Sequence, residues 1–133
     1  MKPYLQDPAV LPDMKIYLRL LAAIYAFACI RHIANMLGFG ELPWAEAPLA
    51  WQISDICYAI LDAIAAIGLF LQRRWGIAAF LLAAASEIVL FTIVPDWFVL
   101  RPEHLTLLRG FVVYHIIAIA IWLFLLQKQK YGR

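Results

Sequence analysis

Residues 51–94 read WQISDICYAILDAIAAIGLFLQRRWGIAAFLLAAASEIVLFTIV, and this stretch decides the fold. Two apolar segments, 51–71 and 75–94, flank the short polar link Gln72-Arg73-Arg74. Each segment has about the 20 mainly apolar residues that an α-helix needs to cross the hydrocarbon core of a bilayer. Because the link has only these three residues, the two helices are predicted to be tightly packed antiparallel neighbours.

Two further apolar segments, 14–37 and 105–126, continue the pattern on either side. Asp13 is predicted to cap the first helix, and Pro102 suits the first turn of the fourth. The chain of 133 residues is 65% hydrophobic and 15% charged, so its interior is too small to hide its apolar side chains from water. Lipid must therefore surround most of them. The predicted fold class is an all-α, integral membrane four-helix bundle that forms a single domain over residues 1–133.

Basic residues predict the orientation of this bundle, because cytoplasmic connections of membrane proteins are enriched in Lys and Arg. One side collects Lys2, Lys15, Arg19, Arg73, Arg74, Lys128, Lys130 and Arg133, whereas the other has Arg31, Arg101 and Arg109. Both termini are therefore expected in the cytoplasm. The first residues lack the apolar region of a secretory signal peptide, so the first span is expected to direct insertion. The compact connections are typical of a bacterial inner (plasma) membrane protein.

Ionisable side chains interrupt the predicted spans. Arg31 and His32 stand about 18 Å along the first helix from Arg19, inside the outer boundary of the membrane. Tyr25 and Cys29 share a helix face with His32. Charged groups in the bilayer are costly, so we expect these groups to face the bundle interior and form a polar pocket that opens outward. The candidate ligand-binding residues are Arg31, His32, Asp55, Asp62, Glu87, Arg109 and His115.

Other interpretations of the same residues stay open at this stage. Structural ion pairs, Arg31 with Asp55 or Arg109 with Glu87, would join the helices without a ligand. A metal or haem site on His32 and His115 would need ligands from separate spans, because the sequence has no HxxxH or ExxH pair. Proton or cation transport would use Asp62 or Glu87, but the apolar half of the second span beyond Asp62 offers no relay.

Several functions are not predicted. Ser54 and Ser86 lack the setting of a catalytic nucleophile, so no catalytic residue is assigned. Cys29 and Cys57 have no CxxC spacing, which argues against a zinc site or a disulfide framework. The formal charge of +2 and the absence of a DNA- or RNA-binding motif give no indication of a nucleic-acid partner. His104 is predicted to face solvent in the outer connection, and no cofactor is identified.

Two segments carry a family resemblance. Residues 17–40, YLRLLAAIYAFACIRHIANMLGFG, have a Leu-Arg near the start and a polar residue before a glycine-ended exit. Residues 53–82, ISDICYAILDAIAAIGLFLQRRWGIAAFLL, add a short Arg-rich hairpin that leads into Trp75 and Gly76. This pattern resembles the DoxX-like group of small four-helix membrane proteins over about the first two thirds of the chain. The resemblance implies that His32 occupies the exit position and that the protein is a subunit of a respiratory or thiol-redox membrane complex.

The function expected from these observations is that of a small integral membrane accessory protein or subunit of an inner-membrane complex. Its polar pocket would bind a lipid head group, a quinone-like molecule or a partner helix. The expected partners are the lipid bilayer, other membrane subunits or further copies of the chain. The alternative is a stand-alone proton-coupled transporter, or a metal- or haem-binding membrane enzyme that uses the same His, Asp and Glu side chains.

Overall fold

The computed structural model describes residues 11–131, and within this range the chain folds into helices without a strand. The long helices are α1 (Pro12–Ala34), α2 (Leu49–Phe70), α3 (Arg74–Ile93) and α4 (Pro102–Tyr131). A wide helical turn at Asn35–Phe39 continues α1. All four helices are long and apolar enough to cross a membrane, which agrees with the four predicted spans to within a few residues at most ends.

Helix ends follow from the backbone chemistry of Pro and Gly. Proline lacks a backbone N–H and has a fixed φ, so it fits the first turn of a helix, and Pro12 and Pro102 begin α1 and α4. The predicted cap at Asp13 is therefore wrong, since Asp13 lies inside the first turn and the cap position is Leu11. The turn after α1 leaves the helical conformation at Gly38, whose φ of +91° is readily adopted only by glycine.

Helices α2 and α3 form the antiparallel hairpin that the short link predicted. Their backbones touch where Gly68 faces Gly76, because a Cβ added to Gly76 would lie 2.1 Å from the carbonyl carbon of Gly68. A Cβ added to Gly68 would lie 2.3 Å from the Cα of Gly76. Any larger residue would therefore push the helices apart, and the two glycines fix the rotation of α2 against α3.

The bundle has two distinct ends. The hairpin end carries the α2–α3 link, the start of α1 and the end of α4, where Lys128 Nζ lies 2.6 Å from Asp13 Oδ2. The loop end carries the connections 35–48 and 94–101, which are joined by Arg101 Nη2 at 2.6 Å from Glu41 Oε1. Both ends of the described chain therefore lie at the hairpin end. Lys2, Arg133 and most of the segment before α1 fall outside the described residues.

The interior changes character along the bundle. Towards the hairpin end it is tightly packed and apolar, with Met14, Leu18, Leu69 and Phe80 fully buried. Large apolar side chains also cover the outer surface of every helix, as lipid-facing helices require. Towards the loop end, the buried side chains include carboxylates and imidazoles, and these form the candidate site.

Candidate functional site

His32 bridges two carboxylates of the neighbouring helix. Asp55 and Asp62 are seven residues apart, so they lie two turns apart on the same face of α2. His32 Nδ1 lies 2.8 Å from Asp55 Oδ1, and His32 Nε2 lies 3.6 Å from Asp62 Oδ2. Asn35 donates a second hydrogen bond to Asp55 Oδ1 at 3.2 Å. One imidazole therefore holds Asp55 by a hydrogen bond and Asp62 at ion-pair distance.

An aromatic side chain supports this imidazole. The Tyr58 ring stacks on His32, with 6.0 Å between ring centroids and 25° between planes. Ser86 Oγ donates a hydrogen bond to the Ala83 carbonyl at 3.0 Å, so its single proton is used there. The Tyr58 hydroxyl must then donate to Ser86 Oγ, at 2.7 Å. This chain of hydrogen bonds ties α2 to α3 and fixes the surface on which His32 rests.

A second imidazole–carboxylate pair joins α3 to α4. His115 Nε2 contacts Glu87 Oε2, and the His115 side chain is buried. The other ring nitrogen, Nδ1, is buried and has no hydrogen-bond partner. Metal-free buried imidazoles ordinarily satisfy both nitrogens, so this atom is open to a further partner.

Two tyrosine hydroxyls interact electrostatically with these pairs. The hydroxyl groups of Tyr25 and Tyr114 are buried without a hydrogen-bond partner. Tyr25 is within electrostatic range of Tyr114, Asp62 and Glu87, and Asp62 is within range of Glu87. The two pairs and the two hydroxyls thus belong to one assembly. We call it the polar cluster, and its members are Tyr25, His32, Asp55, Asp62, Glu87, Tyr114 and His115.

The polar cluster lies in the half of the bundle nearer the loop end. His32 is two residues before the end of α1, Asp55 is six residues into α2, and Glu87 is six residues before the end of α3. These positions are within about 9 Å of the helix ends at the loop end. Asp62 and His115 lie 13 residues into α2 and α4, about 20 Å along each helix. The cluster therefore extends from near the loop end to about the middle of the bundle.

Arg31 and Arg109 are exposed and lie outside the polar cluster. The predicted pairs of Arg31 with Asp55 and of Arg109 with Glu87 are wrong, because imidazoles occupy both places. Successive residues of an α-helix point about 100° apart, so Arg31 cannot face the interior together with His32. The structure thus brings together five of the seven predicted ligand-binding residues and directs both arginines outward.

His104 is also not where the sequence suggested. It is buried at the start of α4, where its Nε2 lies 3.0 Å from Glu41 Oε2 and its Nδ1 accepts a hydrogen bond from the Leu100 amide. Its ring also packs edge-on against Trp51, with 5.5 Å between centroids. The isolated His104 in the sequence gave no sign of this contact, because Glu41 is distant along the chain. Together with Arg101, these residues fasten the loop end.

The two cysteines of the described residues are not part of a disulfide or a metal-binding group. Cys29 Sγ donates to the Ala59 carbonyl at 3.3 Å, Cys57 is exposed, and both are free thiols. Among the residues that the structure describes, no three His, Cys, Asp or Glu side chains are grouped as metal ligands.

Four apolar helices around a buried polar cluster define a small helical bundle of the kind that crosses membranes. The chain belongs to DUF6163, a family of unknown function whose sequence profile matches residues 13–128. Comparison with curated proteins and with solved structures gave no match.

Proposed function

We propose that this protein is an integral membrane accessory protein whose polar cluster binds a small lipophilic molecule within the membrane. The observation that carries the proposal is that three buried polar atoms of the cluster have no partner, namely the hydroxyls of Tyr25 and Tyr114 and the Nδ1 of His115. Leaving such atoms unpaired in a medium without water is costly, so a bound molecule that pairs with them is favoured. Both hydroxyls are within electrostatic range of Asp62 and Glu87, and His115 Nδ1 belongs to the ring that contacts Glu87.

The donors favour a neutral, quinone-like ligand. A carbonyl oxygen accepts hydrogen bonds from tyrosine hydroxyls, and an apolar ring would suit the aromatic surroundings of Tyr25 and Phe80, whose rings pack edge to face at 5.8 Å. An anionic lipid head group is a poorer candidate, because Arg31 and Arg109, which would have held it, are exposed and outside the cluster. The carboxylates that remain would repel an anion.

The orientation proposed places the hairpin end in the cytoplasm. The described basic residues of that end are Lys15, Arg19, Arg73, Arg74, Lys128 and Lys130. The loop end carries fewer basic residues and the acidic side chains of Glu41, Glu46, Asp96 and Glu103. This asymmetry supports cytoplasmic termini and a polar cluster that opens towards the opposite side of a bacterial inner membrane.

An accessory role is favoured over stand-alone transport. A carrier needs a polar route from both sides, but the hairpin half of the interior is closed by Met14, Leu18, Leu69 and Phe80, each fully buried. The resemblance to DoxX-like proteins supports membership of a respiratory or redox complex. The broad apolar surface of α4, most of which is unburied, would provide the contact with other subunits.

Native mass spectrometry of protein gently extracted from its own membranes tests this proposal. Wild-type protein should carry a small adduct of defined mass, and Tyr25→Phe combined with Tyr114→Phe should lose it. Tyr131→Phe is the matched control, since Tyr131 is 78% exposed and its hydroxyl change is chemically identical. Stoichiometric subunits bound to wild type would establish the accessory role. A bare, monomeric wild-type chain that keeps its native helical content would refute the proposal.

A further inference from the structure

The charges of the polar cluster do not balance. Three carboxylates, those of Asp55, Asp62 and Glu87, face two imidazoles, those of His32 and His115. Even with both imidazoles protonated, one negative charge is left over. Neither a Lys nor an Arg among the described residues is paired with these carboxylates, so the remaining charge needs a cation from another source. A buried charge without a partner is disfavoured and is usually neutralised.

Asp62 is the carboxylate that lacks a close partner. Asp55 has the His32 imidazole at 2.8 Å and the Asn35 amide at 3.2 Å, and Glu87 contacts His115 directly. The basic atom near Asp62 is His32 Nε2, which at 3.6 Å is beyond hydrogen-bond distance. Asp62 is only 3% exposed, so water from outside does not solvate it.

A buried donor without an acceptor points at the same place. Tyr25 is 3% exposed, its hydroxyl has no partner, and it lies within electrostatic range of both Asp62 and Glu87. A buried hydroxyl without a partner, within electrostatic range of an underpaired carboxylate, is an exception that needs an explanation. The titratable groups around Asp62 are Tyr25, Cys29 and His32 from α1, Asp55 and Tyr58 from α2, Glu87 from α3, and Tyr114 and His115 from α4.

We infer that the polar cluster is a proton-binding site, in which Asp62 holds one proton beyond those of the imidazoles and exchanges it with the loop end through His32. This inference deepens the proposed function, because it gives the ligand site a proton that a bound molecule can share. With Asp62 neutral and both imidazoles charged, the cluster as a whole is neutral. No cavity is needed, since a proton adds no volume.

The exchange route follows from the position of His32 between Asp62 and Asp55. The relay starts when the charged His32 ring gives up one proton to the loop end and becomes neutral, with its remaining proton on Nδ1 and a free lone pair on Nε2. The Asp62 O–H bond then breaks as its proton forms an N–H bond at Nε2, and the Nδ1–H bond breaks as that proton passes to Asp55 Oδ1. This transfer conserves the number of protons and the net charge and leaves His32 neutral and protonated on Nε2; the reverse sequence with a proton from the loop end restores the resting cluster. Asp55 lies nearer the loop end than Asp62, and the His32 side chain is 22% exposed, so the proton leaves towards that end. His32 is thus a positioning and relay residue, and the fully buried apolar side chains close the opposite direction.

Infrared spectroscopy of the full chain in lipid nanodiscs tests the inference at neutral pH. The wild type should show the carbonyl stretch of one protonated carboxyl group per chain, which shifts in deuterated water. Labelling aspartate with carbon-13 at the side-chain carboxyl should shift this band, whereas labelling glutamate should not. Because these labels leave the sequence intact, the result does not depend on a variant that folds. The absence of the band, or a shift with labelled glutamate only, would overturn the assignment to Asp62.

Variants and ions supply the remaining tests. Asp62→Asn should abolish the band, and Asp96→Asn, a matched change at an exposed residue of the loop end, should preserve it. His32→Gln should keep the band but slow its exchange in deuterated water at least tenfold; unchanged exchange would refute the relay. Replacing sodium by choline should have no effect, and loss of the band on sodium addition would show a metal cation instead. A retained band without a small adduct in mass spectrometry would refute only the proposed ligand.

Discussion

Two separate variants, His32→Ala and Arg31→Ala, test whether the His32 imidazole bridges the buried carboxylates of α2. The two residues are neighbours in the sequence, but only His32 contacts the buried carboxylates, Asp55 at 2.8 Å and Asp62 at 3.6 Å. Removing one partner of a buried ion pair costs about 3–5 kcal/mol. Because the His32 side chain is 22% exposed, we expect a value at or below the lower limit of that range, a loss of about 2–3 kcal/mol in the free energy of unfolding.

Arg31→Ala should change the free energy of unfolding by no more than about 0.5 kcal/mol, since Arg31 is exposed and the structure shows no ion pair for it among residues 11–131. Reversible unfolding in mixed micelles, followed by circular dichroism as the denaturing detergent is increased, compares the two variants with wild type. Acidification should reduce the loss in His32→Ala, because protons then neutralise the stranded carboxylates. Equal losses in both variants, or a larger loss in Arg31→Ala, would refute the assignment of the bridge to the imidazole.

Two further predictions concern the frame around the cluster. Gly76→Ala should destabilise the bundle by about 1–3 kcal/mol, because the added methyl would lie 2.1 Å from the backbone of the opposite helix. Gly110→Ala meets nothing within 4 Å and should not destabilise the bundle in the same detergent unfolding assay; equal stability of the two variants would contradict the close contact. His104→Ala should cost about 1–3 kcal/mol, because it removes the imidazole from Glu41 and leaves the Leu100 amide without its acceptor, and it should speed proteolysis within connection 35–48. Unchanged cleavage would exclude the proposed fastening of the loop end.

The sequence predicted the positions of the helices better than their rotations. Apolar length and the three-residue link were enough to find α1 to α4 and the antiparallel hairpin. The seven-residue spacing of Asp55 and Asp62 is itself enough to place them on a common helix face, and His32 contacts both of them there. The suggested pairing of Arg31 with Asp55 was wrong, because charge complementarity alone does not distinguish a guanidinium from an imidazole as the partner of a carboxylate. Sequence spacing within one helix contains no information on which side the next helix lies.

The contacts at the loop end also could not be predicted from the sequence, because they join residues that are far apart along the chain. His104 and Glu41 are separated by 63 residues, so their proximity depends on how two connections fold over the same end of the bundle. The sequence also gave no indication that the Tyr114 hydroxyl belongs to the site, since a tyrosine in an apolar span is usually an ordinary buried aromatic residue. Only the convergence of α1, α3 and α4 shows that it is buried without a partner.

By itself the sequence determined the helical class, the membrane-compatible length of each helix and the depth of each ionisable residue. These properties follow from composition and from the fixed rise of about 1.5 Å per residue, which is set within a single helix. The tertiary structure alone decided that His32 and not Arg31 enters the interior, and that Asp62 is left without a close partner. Rotation about the helix axis is decided by contacts with neighbouring helices, above all the backbone approach of Gly68 to Gly76, and such contacts exist only in the folded bundle.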